Sequence, residues 1–144
     1  MPSVLSTTRD RIKTILGTVA GLSAARIKLG TVDFSASTEF YNTIVSGGPY
    51  VVIGKPSRTA SLSGGIYEWE IPIKYYTGYA DDADNDYKAI DDVLELARAA
   101  LNTMTNYTDC AMPFGEVSIE EPEDLNEKPH VVMHEIKLRG MAAD

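Results

Sequence analysis

Read from the amino end, apolar residues first recur at a helical spacing. Val4, Leu5, Thr8, Ile12, Ile15 and Leu16 fall near a period of ~3.6 residues, with Arg9, Asp10 and Lys13 off that stripe. This predicts a helix over Val4 to Leu16, with Ser3 placed to cap it and Gly17 and Gly21 to end it. Between Arg26 and Asp33, Ile27 and Leu29 alternate loosely with polar neighbours, which fits a strand or a loop. Gly47-Gly48-Pro49 marks a turn, and Tyr50 to Ile53 is a short β-branched run after it.

The clearest alternation is Ile66 to Tyr76. Tyr67, Trp69, Ile71, Ile73 and Tyr75 share one face, and Glu68, Glu70 and Lys74 share the other. A period of two over this span predicts a half-buried strand with an aromatic core side. Pro72, on the polar face, has no N–H for a ladder, so an edge position or a bulge is expected here. Upstream, Gly54 to Gly65 reads as a long loop, either a surface excursion or an arm that orders on a neighbour. Downstream, the acidic turn Asp81 to Asp86 leads into a helix from about Tyr87 to Met104, with Ile90, Val93, Leu94, Ala97, Leu101 and Met104 as its buried stripe. Aspartates before a helix N-terminus complement its dipole. Glu116 to Glu120 reads as a short strand, Glu121 to Pro129 as a polar loop, and His130 to Leu138 as a final alternating strand. Helix, strands, helix and strands in this order predict a single α+β domain, an antiparallel sheet with helices packed on one side.

Composition narrows the classes. The chain has 144 residues, 44% hydrophobic and 24% charged, which suits one globular domain. Its 13 basic and 21 acidic residues give 13 − 21 = −8, against a basic nucleic-acid binder. The charge is uneven. Residues 1–60 carry seven basic groups against Asp10, Asp33 and Glu39, or +4, so the rest carries −8 − 4 = −12. Such a split fits a solvated acidic face, or complementary faces through which identical subunits associate head to tail. The lone Cys110 excludes an internal disulfide and points to a reducing compartment. Neither a signal peptide nor a membrane-spanning run is expected, because charges interrupt every apolar stretch.

Motifs for catalysis or metal binding fail on inspection. Asp82, Asp84 and Asp86 match the first three ligand positions of a calcium loop, but Tyr87 stands where glycine is needed and Val93 where the closing glutamate belongs. His130 and His134 have a ligand-pair spacing for a helix, yet in a strand they stand ~13 Å apart, too far to share one metal. Gly54-Lys55-Pro56-Ser57 lacks the upstream glycine and the hydroxyl of a phosphate loop. No serine lies in a nucleophile elbow. The expectation is no metal, no cofactor and no catalytic residue.

Several segments together resemble the tail terminator proteins of long-tailed bacteriophages, also called tail completion or tail-to-head joining proteins. They are the N-terminal helix, GPYVVIG, the long segment after it, IYEWEIPIKYYTGY with its acidic turn, IDDVLELARAAL and HVVMHEIKLRG, which cover most of the chain. The resemblance implies a non-enzymatic virion protein whose identical subunits form a ring, a hexamer in that family. The ring caps the tail tube, stops its polymerisation and meets the head connector. Its partners are then further copies of itself, the tail tube protein and the connector or neck protein, with DNA passing through unbound and no membrane involved. The resemblance further implies subunit or tube contacts at Lys55, Ser57, Arg58, Thr59 and Ser61 in the long segment and at Glu68, Glu70 and Lys74 along the strand edge. Carboxylates repel a phosphate backbone. Part of the acidic set Asp81, Asp82, Asp84, Asp86, Glu120, Glu121, Glu123 and Asp124 is therefore expected to face the passage. Another protein of the head–tail junction, or a small soluble enzyme or ligand-binding domain, is the competing expectation.

Overall fold

A computed structural model describes residues 4–30, 49–61, 66–79, 92–103, 107, 117–120, 123–127 and 130–143. In chain order these form α1 (Val4–Gly17), a 3-10 turn (Ala24–Arg26), β1 (Ile27–Leu29), β2 (Tyr50–Ile53), β3 (Ser57–Ser61) and β4 (Ile66–Tyr79). They continue with α2 (Asp92–Leu101), β5 (Ser118–Ile119), β6 (Glu123–Glu127) and β7 (His130–Ala143). All the strands join one sheet, and both helices pack against it. The fold is α+β, as its element order requires.

The centre of the sheet is the antiparallel pair β4–β7, in register from Ile66 opposite Ala143 to Tyr79 opposite His130. Each strand has 14 residues, roughly 46 Å at ~3.3 Å per residue, where five or six residues is usual. Strand alternation then divides the sheet. Tyr67, Trp69, Ile71, Ile73 and Tyr75 of β4, with Ile136 and Leu138 of β7, face the helices and are buried. Against them lie Ile12, Ile15 and Leu16 of α1 and Leu94, Ala97 and Leu101 of α2. Of the stripes read from the sequence, Thr8, Ile12, Ile15, Leu16, Leu94, Ala97 and Leu101 are buried, Val93 is partly buried, and the side chains of Val4, Leu5, Ile90 and Met104 lie outside the described ones. The opposite face carries a small cluster of Val52, Tyr76 and Val131, with Tyr50 and Met133 beside it. Elsewhere on that face charges oppose one another across strands, Glu70 against Arg139 and Lys74 against Glu135. Such a pair is worth ~0.2–1 kcal/mol.

Three expectations change. First, β4 is central rather than an edge strand: β7 runs along one side, and β2 and β3 run along the other. Glu68, Glu70 and Lys74 therefore sit on the open face of a middle strand, not along an edge. Pro72 is tolerated because of where its missing N–H points. Its carbonyl accepts from Gly54 N at 2.7 Å, so its nitrogen faces the same flank, where β2 has ended and β3 has not begun. The ladder to β7 loses nothing.

Second, the long segment after β2 contains a strand, β3. Ser57 pairs with Glu70, Arg58 with Trp69, Ala60 with Glu68 and Ser61 with Tyr67, leaving Thr59 as a bulge. Residues 62–65 alone separate β3 from β4, an ordinary hairpin length. The polar segment after Glu121 likewise contains β6, which pairs with the start of β7 and has a register shift at Leu125. Third, the sheet is mixed. β1 is a strand and runs parallel to β2, Ile27 beside Val51 and Leu29 beside Ile53. The Ser3 cap and the helical positions 87–91 and 104 lie outside the described residues.

Two glycines separate tight packing from open space. A Cβ on Gly54 would stand 2.8 Å from Pro72 Cγ and 3.0 Å from its carbonyl oxygen, whereas one on Gly17 meets nothing within 4 Å. Gly54→Ala is expected to lower unfolding free energy by ~1–3 kcal/mol in urea titration. Gly17→Ala, at a helical residue, is expected to raise it by up to ~1 kcal/mol. Ile71→Ala, which empties a fully buried position, is expected to cost ~2–5 kcal/mol in the same measurement.

Candidate functional site

Both long strands are flanked by a broken one. Beside β4, β2 and β3 lie end to end and are joined by Gly54, Lys55 and Pro56. Beside β7, β5 and β6 lie end to end and are joined by residues 120–122. Among the described residues, β3 pairs with β4 alone, and β5 and β6 pair with β7 alone. On the first flank β1 takes the outer side of β2, so β3 there, and β5 and β6 on the second flank, present main-chain donors and acceptors outward, the groups through which another strand adds.

The first flank is braced from within. Ile53 O accepts from Gly30 N at 2.9 Å and from Arg9 Nη2 at 3.1 Å. Arg26 donates from Nε to Pro49 O at 3.3 Å and lies 5.4 Å from the centre of the Tyr50 ring. Two arginines of the basic N-terminal half therefore hold the ends of β2. Lys55 and Ser57 are exposed beyond that brace. From Tyr50 to Ser61 the charged residues are Lys55 and Arg58, both basic.

On the second flank, Val117 N donates to Asn102 Oδ1 at 3.0 Å, tying the start of β5 to the end of α2. Tyr107, buried, donates its hydroxyl to Leu101 O and closes the same helix end. Glu120 N donates to Glu135 O at 2.8 Å, and Lys137 Nζ lies 3.7 Å from Glu120 Oε1 on the partly exposed sheet surface. From Ser118 to Glu127 the charged residues are Glu120, Glu121, Glu123, Asp124 and Glu127, all acidic. Glu120 and Glu123 are exposed. The two flanks carry opposite charge.

The contact residues implied by the resemblance divide accordingly. Lys55, Ser57, Arg58, Thr59 and Ser61 fall on the first flank, with Thr59 at its bulge. Glu68 and Glu70, half-buried, and Lys74, exposed, occupy the open sheet face. Among the acidic candidates, Glu120, Glu123 and Asp124 line the second flank, while Asp81, Asp82, Asp84, Asp86 and Glu121 lie outside the described residues. Cys110 and Tyr87 lie outside them too. Sequence reasoning missed Glu127 and Arg139, and read Glu135 and Lys137 only as the polar side of the last strand. The strict alternation in His134-Glu135-Ile136-Lys137-Leu138-Arg139 carried the signal for Arg139.

His130 and His134 stand on one strand, opposite Tyr79 and Tyr75, so the strand spacing argued against a shared metal applies. His134 is 1% exposed and faces the core. Among the described residues no three His, Cys, Asp or Glu side chains gather into a metal site, and no helix is long and apolar enough to cross a membrane. What the two flanks offer is main-chain pairing and charge. Compared with known proteins, the sequence matches no family model and no curated protein.

The brace separates the basic residues by role. Arg9→Met removes a charged donor from a partly buried carbonyl and is expected to cost ~1–3 kcal/mol in urea unfolding. Lys55→Ala, at an exposed position, is expected to change stability by less than ~0.5 kcal/mol.

Proposed function

We propose that this chain is the ring-forming subunit of a phage tail terminator. In this reading it is a structural protein of the virion that closes the head-proximal end of the tail tube, halts tube growth and joins the tail to the head connector. The observation that carries the reading is that, among the described residues, β3 on one side of the sheet and β6 on the other each pair with one strand alone and carry opposite charge. A two-fold dimer needs one patch that complements itself; two unlike patches favour head-to-tail contacts, which close into rings or run on as filaments. The family resemblance supplies the ring, its hexameric count and its partners.

The function needs no catalytic group. Subunits meet one another, the tube and the connector through surfaces, and DNA passes through the centre. In this reading, part of the chain's acidic set lines that passage and keeps phosphate from sticking. An assembled ring with a neutral or basic lumen would contradict this assignment.

The test is polymerisation of the cognate tail tube protein with and without this chain, imaged by negative stain. Capped tube ends and shortened tubes are expected. Bare ends and an unchanged length distribution at saturating chain would sink the proposal.

A further inference from the structure

We infer that copies of this chain join by strand addition, the β3 edge of one copy against the β6 edge of the next, with charge setting which edges meet. The inference rests on the self-association in the ring reading and specifies its contact. Strand direction comes first. β3 is antiparallel to β4, β7 is antiparallel to β4, and β6 is antiparallel to β7. It follows that β3 and β6 run in opposite directions on opposite sides of the sheet. When two copies stand side by side in the same orientation, β3 of one meets β6 of the other antiparallel. That arrangement makes straight ladder hydrogen bonds.

Charge decides among the possible pairings. Lysine on an edge, or a bulge within it, ordinarily guards against unwanted addition, and both edges carry a bulge, at Thr59 and Leu125. Guarding alone is served by the same sign on every edge. Here the signs differ: Lys55 and Arg58 on one edge, and Glu123, Asp124 and Glu127 on the other. Each edge repels its own kind and attracts the other, which disfavours two-fold dimers and favours a head-to-tail chain of copies. The bulges confine each pairing to a short stretch.

Position along the strands shapes the assembly. β3 lies against residues 67–70 and β6 against residues 130–133, at opposite ends of the β4–β7 ladder. Each junction therefore steps along the strand direction. A closed ring then carries its strands tilted to its axis, as a closed barrel does.

Charge exchange tests the contact. One variant carries Lys55→Glu and Arg58→Glu; a second carries Glu123→Lys and Asp124→Lys. Association of each alone, and of their equimolar mixture, is followed by sedimentation velocity at low salt, with circular dichroism and thermal melts to show that both fold. Each variant alone is expected to associate at least ~10-fold more weakly than the parent, and the mixture is expected to recover to within ~3-fold, in species that alternate the two. If a double reversal unfolds, the single changes Lys55→Glu and Glu123→Lys, both at exposed positions, enter the same scheme. A variant that associates like the parent, or a mixture of folded variants that stays dissociated, overturns this contact and leaves the ring reading standing. A parent that stays monomeric at every concentration, and beside the tail tube protein, overturns both.

Discussion

Fourteen consecutive residue pairs hold β4 against β7, and every other strand but β1, which pairs with β2, lies directly against that ladder. Its inner face supplies Trp69, Ile71, Ile73, Tyr75, Ile136 and Leu138, the surface on which α1 and α2 bury their stripes. Its two outer sides template the broken flanks β2–β3 and β5–β6. Pro72 sits in the middle of the ladder without harming it, since its nitrogen points to the gap between β2 and β3. The same gap is where Gly54 comes close enough to touch the proline ring. The break in the flank and the proline in the spine fit each other.

Elements that bury apolar side chains were legible before the structure. α1, α2, β4 and β7 each show a period, and the described side chains on their apolar faces are buried or partly buried. The flanking strands had no such mark. Ser57–Ser61 holds no large apolar residue, and in Glu123–Glu127 the one apolar side chain, Leu125, falls at the register shift. These strands form because a neighbouring strand is already fixed and offers a ladder, a cause that local pattern does not record. Pro72 misled for a related reason. A proline forbids a donor in one direction only, and the direction depends on which flank is continuous.

The charge pattern underwent a similar sorting. An excess of basic residues in the first 60 positions suggested a surface, yet Arg9 and Arg26 are engaged at the ends of β2. What remains on the first edge is Lys55 and Arg58, set against an acidic stretch on the second. Sequence could show that the halves differ in sign. It could not show that the difference falls on the two open edges of one sheet, because the β3 and β6 strands that define those edges were invisible in it. The histidine pair does stand on one strand, where the spacing argument applies, and the aspartate run lies outside the described residues.

A spine with two open edges is the central claim, and amide hydrogen exchange measured in dilute and in assembled protein tests it most directly. The account predicts slow exchange throughout β4 and β7 in both states. For the outward amides of Ser57–Ser61 and Glu123–Glu127 it predicts fast exchange when dilute and protection on assembly. Equal protection of those outward amides in dilute monomer, or no gain on assembly, would contradict it.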